Sequence, residues 1–209
     1  MNEYIKTFDG TFPSDVLKGK SITSLSYIDL IKRASSVYAG DEKTGVHSII
    51  LKENNILDIE VTFSKETIET DDKRTDRIDY LQLEEDNNGK IKLVFFEAKH
   101  FTNSEIRARQ SPRVLIQIQR YEKALEVHKE AILESYKAVC RNLKELNIVG
   151  DRNLINEVAE NPSLLSIDFQ PNLIVFGYDR DQDEGKVWNA HKKVLKDALG
   201  DRLITRGGC

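Results

Sequence analysis

Two apolar segments joined by Asp86-Asn87-Asn88-Gly89 constrain this chain more than any other feature, because they fix a strand register. Segments 76–84 and 90–99 are rich in Ile, Leu, Val, Phe and Tyr with polar residues between them, as expected of strands. A three-residue loop ending in a glycine of left-handed conformation is a common hairpin connection. With Asn87-Asn88-Gly89 as that loop, Asp86 pairs with Lys90, and counting back sets Asp79 directly opposite Glu97. Lys99, two residues beyond Glu97, points to the same face. The other face then carries Ile78, Tyr80, Val94, Phe96 and Ala98, and a slip of one residue would put Asp79 among them. Asp76, the rival acid, faces away from Glu97 in this register. Two acids at the end of apolar strands cost desolvation unless a cation compensates them. Asp79, Glu97 and Lys99 are therefore read as a candidate active site with room for a divalent metal.

The surrounding pattern supplies a mixed α/β domain. Residues 1–20 read as an irregular lead-in, 21–38 and 41–54 as helices, and 56–63 as a strand before the hairpin. Pro112 fits the start of a long helix over 112–146, with apolar residues from Ile118 and Tyr121 to Leu143 and Leu146 recurring every three or four positions. A linking region with Pro162 follows. Residues 173–177 have the apolar run of a buried parallel strand, 185–199 form a last helix, and 202–205 a short strand. At 209 residues the chain fits a single domain, with helices covering a small mixed sheet and a core that needs no disulfide.

A formal net charge of −4 gives no global signal for nucleic acid, so any such affinity must be local. Segment 99–120 supplies one: Lys99, Arg107, Arg109, Arg113 and Arg120 stand against the single acid Glu105, whereas 60–86 is mostly acidic. Cys140 and Cys209 have neither metal-ligand spacing nor the density of a disulfide scaffold. His47, His128 and His191 share no spacing of a metal site, and His100 beside Lys99 is either a phosphate contact or a surface histidine. The start Met1-Asn2-Glu3-Tyr4-Ile5-Lys6 has no apolar signal region and no run approaches a membrane span. The expectation is a soluble protein of a reducing cytoplasm with no membrane partner.

Asp79 … Glu97-x-Lys99, with strands on both sides, a helix before and a helix and strand after, resembles the PD-(D/E)XK nuclease superfamily. The resemblance covers about 41–178 and implies the restriction-endonuclease-like αβββαβ core, here with an added N-terminal and C-terminal helix. Gln117 and Tyr121 match the Gln-x-x-x-Tyr element of its RecB-like exonuclease branch and, at i and i+4, share a helical face. Ile78 stands where the family has proline, and the family's further acid on the first core helix is Glu42 or Glu53, Glu42 being preferred. The resemblance implies hydrolysis of DNA phosphodiester bonds with Mg²⁺, for which Mn²⁺ can substitute, and leaves RNA open as a substrate. It assigns Asp79, Glu97, the Ala98 carbonyl and Glu42 to the metal, and Lys99 to the attacking water. Gln117 and Tyr121 would hold the phosphate backbone, and Arg107, Arg109, Arg113 and Arg120 would bind the nucleic acid. The alternatives are a nucleic-acid-binding domain of the same fold without catalysis, and an interaction protein, a homodimer included, built on the 112–146 helix. Glu184-Gly185-Lys186 and Asp71-Asp72-Lys73 have similar spacing but end no apolar strand, and read as solvated loops.

Overall fold

The computed structural model describes residues 40–53, 55–63, 77–147 and 153–207. The chain divides after Gly40, and the unit Asp41–Cys209 carries everything described below. The lead-in expected over 1–20, the helix expected over 21–38, Asp76 and the 71–73 triplet lie outside the described residues.

Helix α1 (Asp41–Ile50) precedes three strands, β1 (Ile56–Thr62), β2 (Arg77–Glu85) and β3 (Ile91–His100). Helices α2 (Arg113–Val127), α3 (Lys129–Glu145) and α4 (Asn153–Glu160) follow. The chain then runs through β4 (Leu165–Ile167), β5 (Asn172–Tyr178), α5 (Arg180–Glu184), α6 (Lys186–Leu199) and β6 (Leu203–Gly207). The six strands make one mixed sheet in the order β1-β2-β3-β5-β6, with β4 also paired to β3. The first three strands are antiparallel, and β4, β5 and β6 add in parallel.

The hairpin has the register that its turn residues dictate. The Asp86 N–H donates to the Lys90 carbonyl at 2.8 Å, and Gly89 has φ +71°, the left-handed conformation that closes a three-residue loop. Asp86 Oδ1 accepts from the N–H groups of Asn88 and Lys90, both at 2.9 Å, so the side chain itself shapes the turn. Pairs run from Glu85↔Ile91 to Tyr80↔Phe96. The ladder stops there, one residue short of the expected Asp79–Glu97 pair.

On one face of the sheet Leu81, Leu83, Leu93 and Phe95 pack against Tyr121 and Leu125 of α2, Ile132, Tyr136 and Cys140 of α3, and Ile155 and Val158 of α4. On the other, Tyr80, Val94, Phe96, Ala98, Ile174 and Phe176 pack under Ile49 of α1. Ile78 departs from expectation: it joins Val61 in the first cluster rather than Tyr80 in the second. The β2–β3 ladder ends at Tyr80, and beyond it β2 follows β1, whose Glu60 has φ +54°, so strict alternation is lost there.

Gly45 sets the seat of α1. A Cβ at this position would lie 1.9 Å from the Phe176 ring. Gly45→Ala is expected to destabilise the fold by about 1–3 kcal/mol, as overpacking does. Urea unfolding measures it, and an unchanged midpoint would contradict this packing of α1 on β5.

The single helix expected over 112–146 is instead two, broken at His128 (φ −96°, ψ 9°). Hydrogen bonds continue on both sides, from His128 N–H to Ala124 and from Ile132 N–H to His128. Neither Gly nor Pro marks the break, so the sequence does not announce it. The His128 ring stacks on Phe63 at 5.9 Å, a tertiary contact that periodicity does not encode. Pro112 lies one residue ahead of α2 as its N-cap. The linking region holds α4 and β4, also unanticipated. The apolar stripe of α2 and α3 is taken up by their own sheet, and the large apolar residues left exposed on and beside them, Ile116, Val127 and Leu146, are scattered. Among the described residues no helix is long and apolar enough to cross a membrane.

Candidate active site

The ends of β2 and β3 carry the charged groups. Past the last ladder pair, the Ala98 N–H donates to Asp79 Oδ2 at 2.7 Å, so the carboxylate continues the ladder in place of backbone. In a strand the N–H and C=O of one residue point to the same side, which turns the Ala98 carbonyl toward Asp79 as well. Asp79 Oδ1 makes no hydrogen bond among the described residues. Glu97, 1 % exposed, and Lys99, 8 % exposed, are two of the three buried polar or charged residues among those described. Their alternation with apolar Phe96 and Ala98 puts both on the α2 side of the sheet.

Lys99 Nζ lies 2.7 Å from Glu97 Oε1, 3.2 Å from Glu105 Oε2 and 3.5 Å from Glu42 Oε1. Glu42 reaches the lysine from the first turn of α1, and its other oxygen accepts from Asn103 Nδ2 at 2.7 Å. Asn103 Oδ1 in turn accepts from the Glu105 N–H at 2.8 Å and caps the one-turn helix Ser104–Ile106, which the buried Ile106 anchors. From α2, Tyr121 Oη lies 3.1 Å from Glu97 Oε2 and donates to the Arg77 carbonyl at 2.5 Å, while Gln117 Nε2 donates to Tyr121 Oη at 2.5 Å. The spacing of one helical turn thus brings Gln117 and Tyr121 to Glu97 as a chain of hydrogen bonds.

Burial, reinforced by the Asp79 charge, raises the Glu97 carboxyl to about 8 against the opposing pull of Lys99 and Tyr121. Burial likewise raises Asp79 to about 6, with the Ala98 N–H and Lys99 acting against it. For Lys99, burial disfavours the ammonium, but Glu97, Glu42 and Glu105 together outweigh it and hold the amine above its ordinary range. Near neutral pH the site therefore pairs a fixed cation with two acids that resist losing both protons.

Asp79, Glu97, Lys99, Gln117, Tyr121 and Glu42 come together, with Ala98 between. Glu53 does not: it pairs with Arg206 at 2.7 Å, which leaves Glu42 as the acid that α1 brings to the lysine. Arg107 sits 6.0 Å over the Phe101 ring just beyond β3. Arg109 and Arg113 are exposed, and Arg120 is partly buried on α2. His100 Nδ1 lies 2.7 Å from Thr102 Oγ1 and its ring meets Phe176 edge-on, a packing role. Glu184 is exposed and paired with Arg180 within α5. Sequence reasoning missed Asn103 and Glu105 as members of the site. The available signal was an Asn capping residue two positions before an acid, immediately after the strand that ends in Lys99.

Among the described residues no group of three His, Cys, Asp or Glu side chains is gathered as metal ligands. Glu97, Glu42 and Glu105 each place an oxygen within 3.5 Å of the Lys99 ammonium. The oxygens that could be offered to a hard cation are Asp79 Oδ1, the Glu97 carboxylate and the Ala98 carbonyl. No family model matches this chain, and neither a curated protein nor a solved structure matches it.

Proposed function

We propose that this protein is a metal-dependent nuclease of the PD-(D/E)XK type, hydrolysing phosphodiester bonds of DNA on a restriction-endonuclease-like fold. The observation that carries the reading is the buried Glu97 between Asp79 and Lys99 at the end of the β2–β3 ladder, an arrangement that is costly to fold without a cationic function. The element order, one helix, three antiparallel strands, helices and a parallel strand on β3, supports the fold assignment.

Asp79, Glu97 and the Ala98 carbonyl would hold Mg²⁺ or Mn²⁺, with Glu42 as a further ligand. Bound there, the ion supplies charge neutralisation at the scissile phosphate and a lower pKa for the attacking water. Lys99, kept as an ammonium by its carboxylates, offsets the charge that develops on the phosphoryl oxygens rather than accepting a proton. Tyr121 and Gln117 orient Glu97 from α2. Water would attack phosphorus and give up a proton to solvent, the bond to the leaving oxygen would break, and that oxygen would take up a proton from solvent, so that one proton passes net from the attacking water to the leaving group. The test is incubation with linear, circular and single-stranded DNA in Mg²⁺, in Mn²⁺ and in chelator. Cleavage of none of them would overturn the reading.

The lack of a gathered three-ligand cluster among the described residues favours, as second reading, a nucleic-acid-binding domain of the same fold without catalysis. Both readings predict DNA binding through Arg107, Arg109, Arg113 and Arg120. Removing one arginine–phosphate interaction should lower the log–log salt slope by about 0.9 for duplex DNA. In a salt series with Ca²⁺, an Arg107→Ala/Arg109→Ala/Arg113→Ala variant should bind more weakly with a shallower slope and an unchanged melting temperature. An unchanged slope would make the patch a solvated loop.

A further inference from the structure

Lys99 is held by more than its strand. Its nearest partner, Glu97, is buried in the sheet, but the other two, Glu42 and Glu105, are about one-third exposed and come from separate elements. One side chain joins them: Asn103 donates from Nδ2 to Glu42 and accepts at Oδ1 from the Glu105 N–H. An amide can do both at once, with its donor and its acceptor on separate atoms of one short stem. From these contacts we infer that Asn103 and Glu105 are positioning residues, which aim the Lys99 ammonium at the reacting phosphate by tying α1 to the turn after β3. The inference rests on the nuclease reading and adds to it two residues outside the motif.

Aim matters because a displacement of about 1 Å in a catalytic group can cost up to roughly a hundredfold in rate. The experiment is steady-state cleavage of linear DNA in Mg²⁺ by the parent, Glu105→Gln, Asn103→Ala, Asn103→Ser and the Asn103→Ala/Glu105→Gln double variant. Serine keeps an acceptor for the Glu105 N–H but offers Glu42 no comparable amide donor, so Asn103→Ser separates capping from positioning. Expected are falls in kcat of about tenfold for each single variant with KM unchanged. Asn103→Ser should retain the parent's melting temperature, and the double variant should be no slower than the slower single, because both changes act through one lysine. Parent-level rates in Glu105→Gln and Asn103→Ser, a change in KM alone, or multiplying losses in the double variant would overturn the inference while leaving the nuclease reading intact. A parent without cleavage would overturn the nuclease reading and this inference with it.

Discussion

Glu97→Ala, Asp79→Ala and Lys99→Ala are each expected to lower Mg²⁺-dependent DNA cleavage by at least about a hundredfold, while Glu184→Ala cleaves like the parent. The reasons differ by residue. On the proposed mechanism Asp79 and Glu97 would supply oxygens to the metal, and removing either would leave too few protein ligands for Mg²⁺. Lys99 supplies the fixed positive charge, and its loss also leaves Glu97 buried without a cation, which drives that carboxyl further toward its neutral form. Glu97→Gln is the companion variant, close in shape, so that loss of cleavage with a retained melting temperature separates chemistry from folding. Glu184 has the same acid-x-lysine spacing yet stands exposed on a short helix beside Arg180. A loss in Glu184→Ala equal to that in Glu97→Ala would mean that the wrong triplet carries the chemistry.

The second large effect is on stability. Asp79 rises from 3.8 to about 6 and Glu97 from 4.5 to about 8 on folding, with burial the leading cause for each. The fold thus favours their protonated forms. That favourable contribution is complete below the unfolded values near pH 4 and is lost as pH rises through about 6 and then about 8. The metal-free protein should therefore lose stability between about pH 4 and 8 as far as this pair decides it. A divalent cation must compete with those protons, so the rise in melting temperature on adding Mg²⁺ should grow across the same window. Asp79→Asn keeps an acceptor for the Ala98 N–H but carries no charge. After discounting for its partial exposure, it should stabilise the metal-free protein at pH 8.5 by on the order of 1–2 kcal/mol and remove the Mg²⁺ shift. Thermal melting at pH 5.5 and 8.5, with and without Mg²⁺, reads all four values. An Asp79→Asn protein less stable than the parent at pH 8.5 would contradict this electrostatic account.

What the sequence disclosed follows from how local each signal is. The hairpin is legible because Asp86 and Gly89 act within five residues, and the register they set holds back to Tyr80 opposite Phe96. The helical face shared by Gln117 and Tyr121 was legible for the same reason, as a single turn of one helix. The break at His128 was not, since it coincides with a stack on Phe63, sixty-five residues earlier in the chain. Ile78 was misassigned because strict alternation ends with the ladder, and nothing in the strand composition shows where a ladder ends. The choice between Glu42 and Glu53 needed the seating of α1 on Phe176 through Gly45. Glu105 was visible only as a lone acid in a basic segment, and its role depends on a lysine six residues away that is brought close by a turn.

The most direct measurement is a Mg²⁺ titration of one preparation, read in parallel as cleavage of linear DNA and as melting temperature. A metal site at Asp79 and Glu97 that performs the hydrolysis predicts both responses over the same concentration range, both abolished by chelator and both absent in Glu97→Gln. Cleavage that persists in chelator or in Glu97→Gln, or a full Mg²⁺ shift in melting temperature with no cleavage of any DNA, would contradict it.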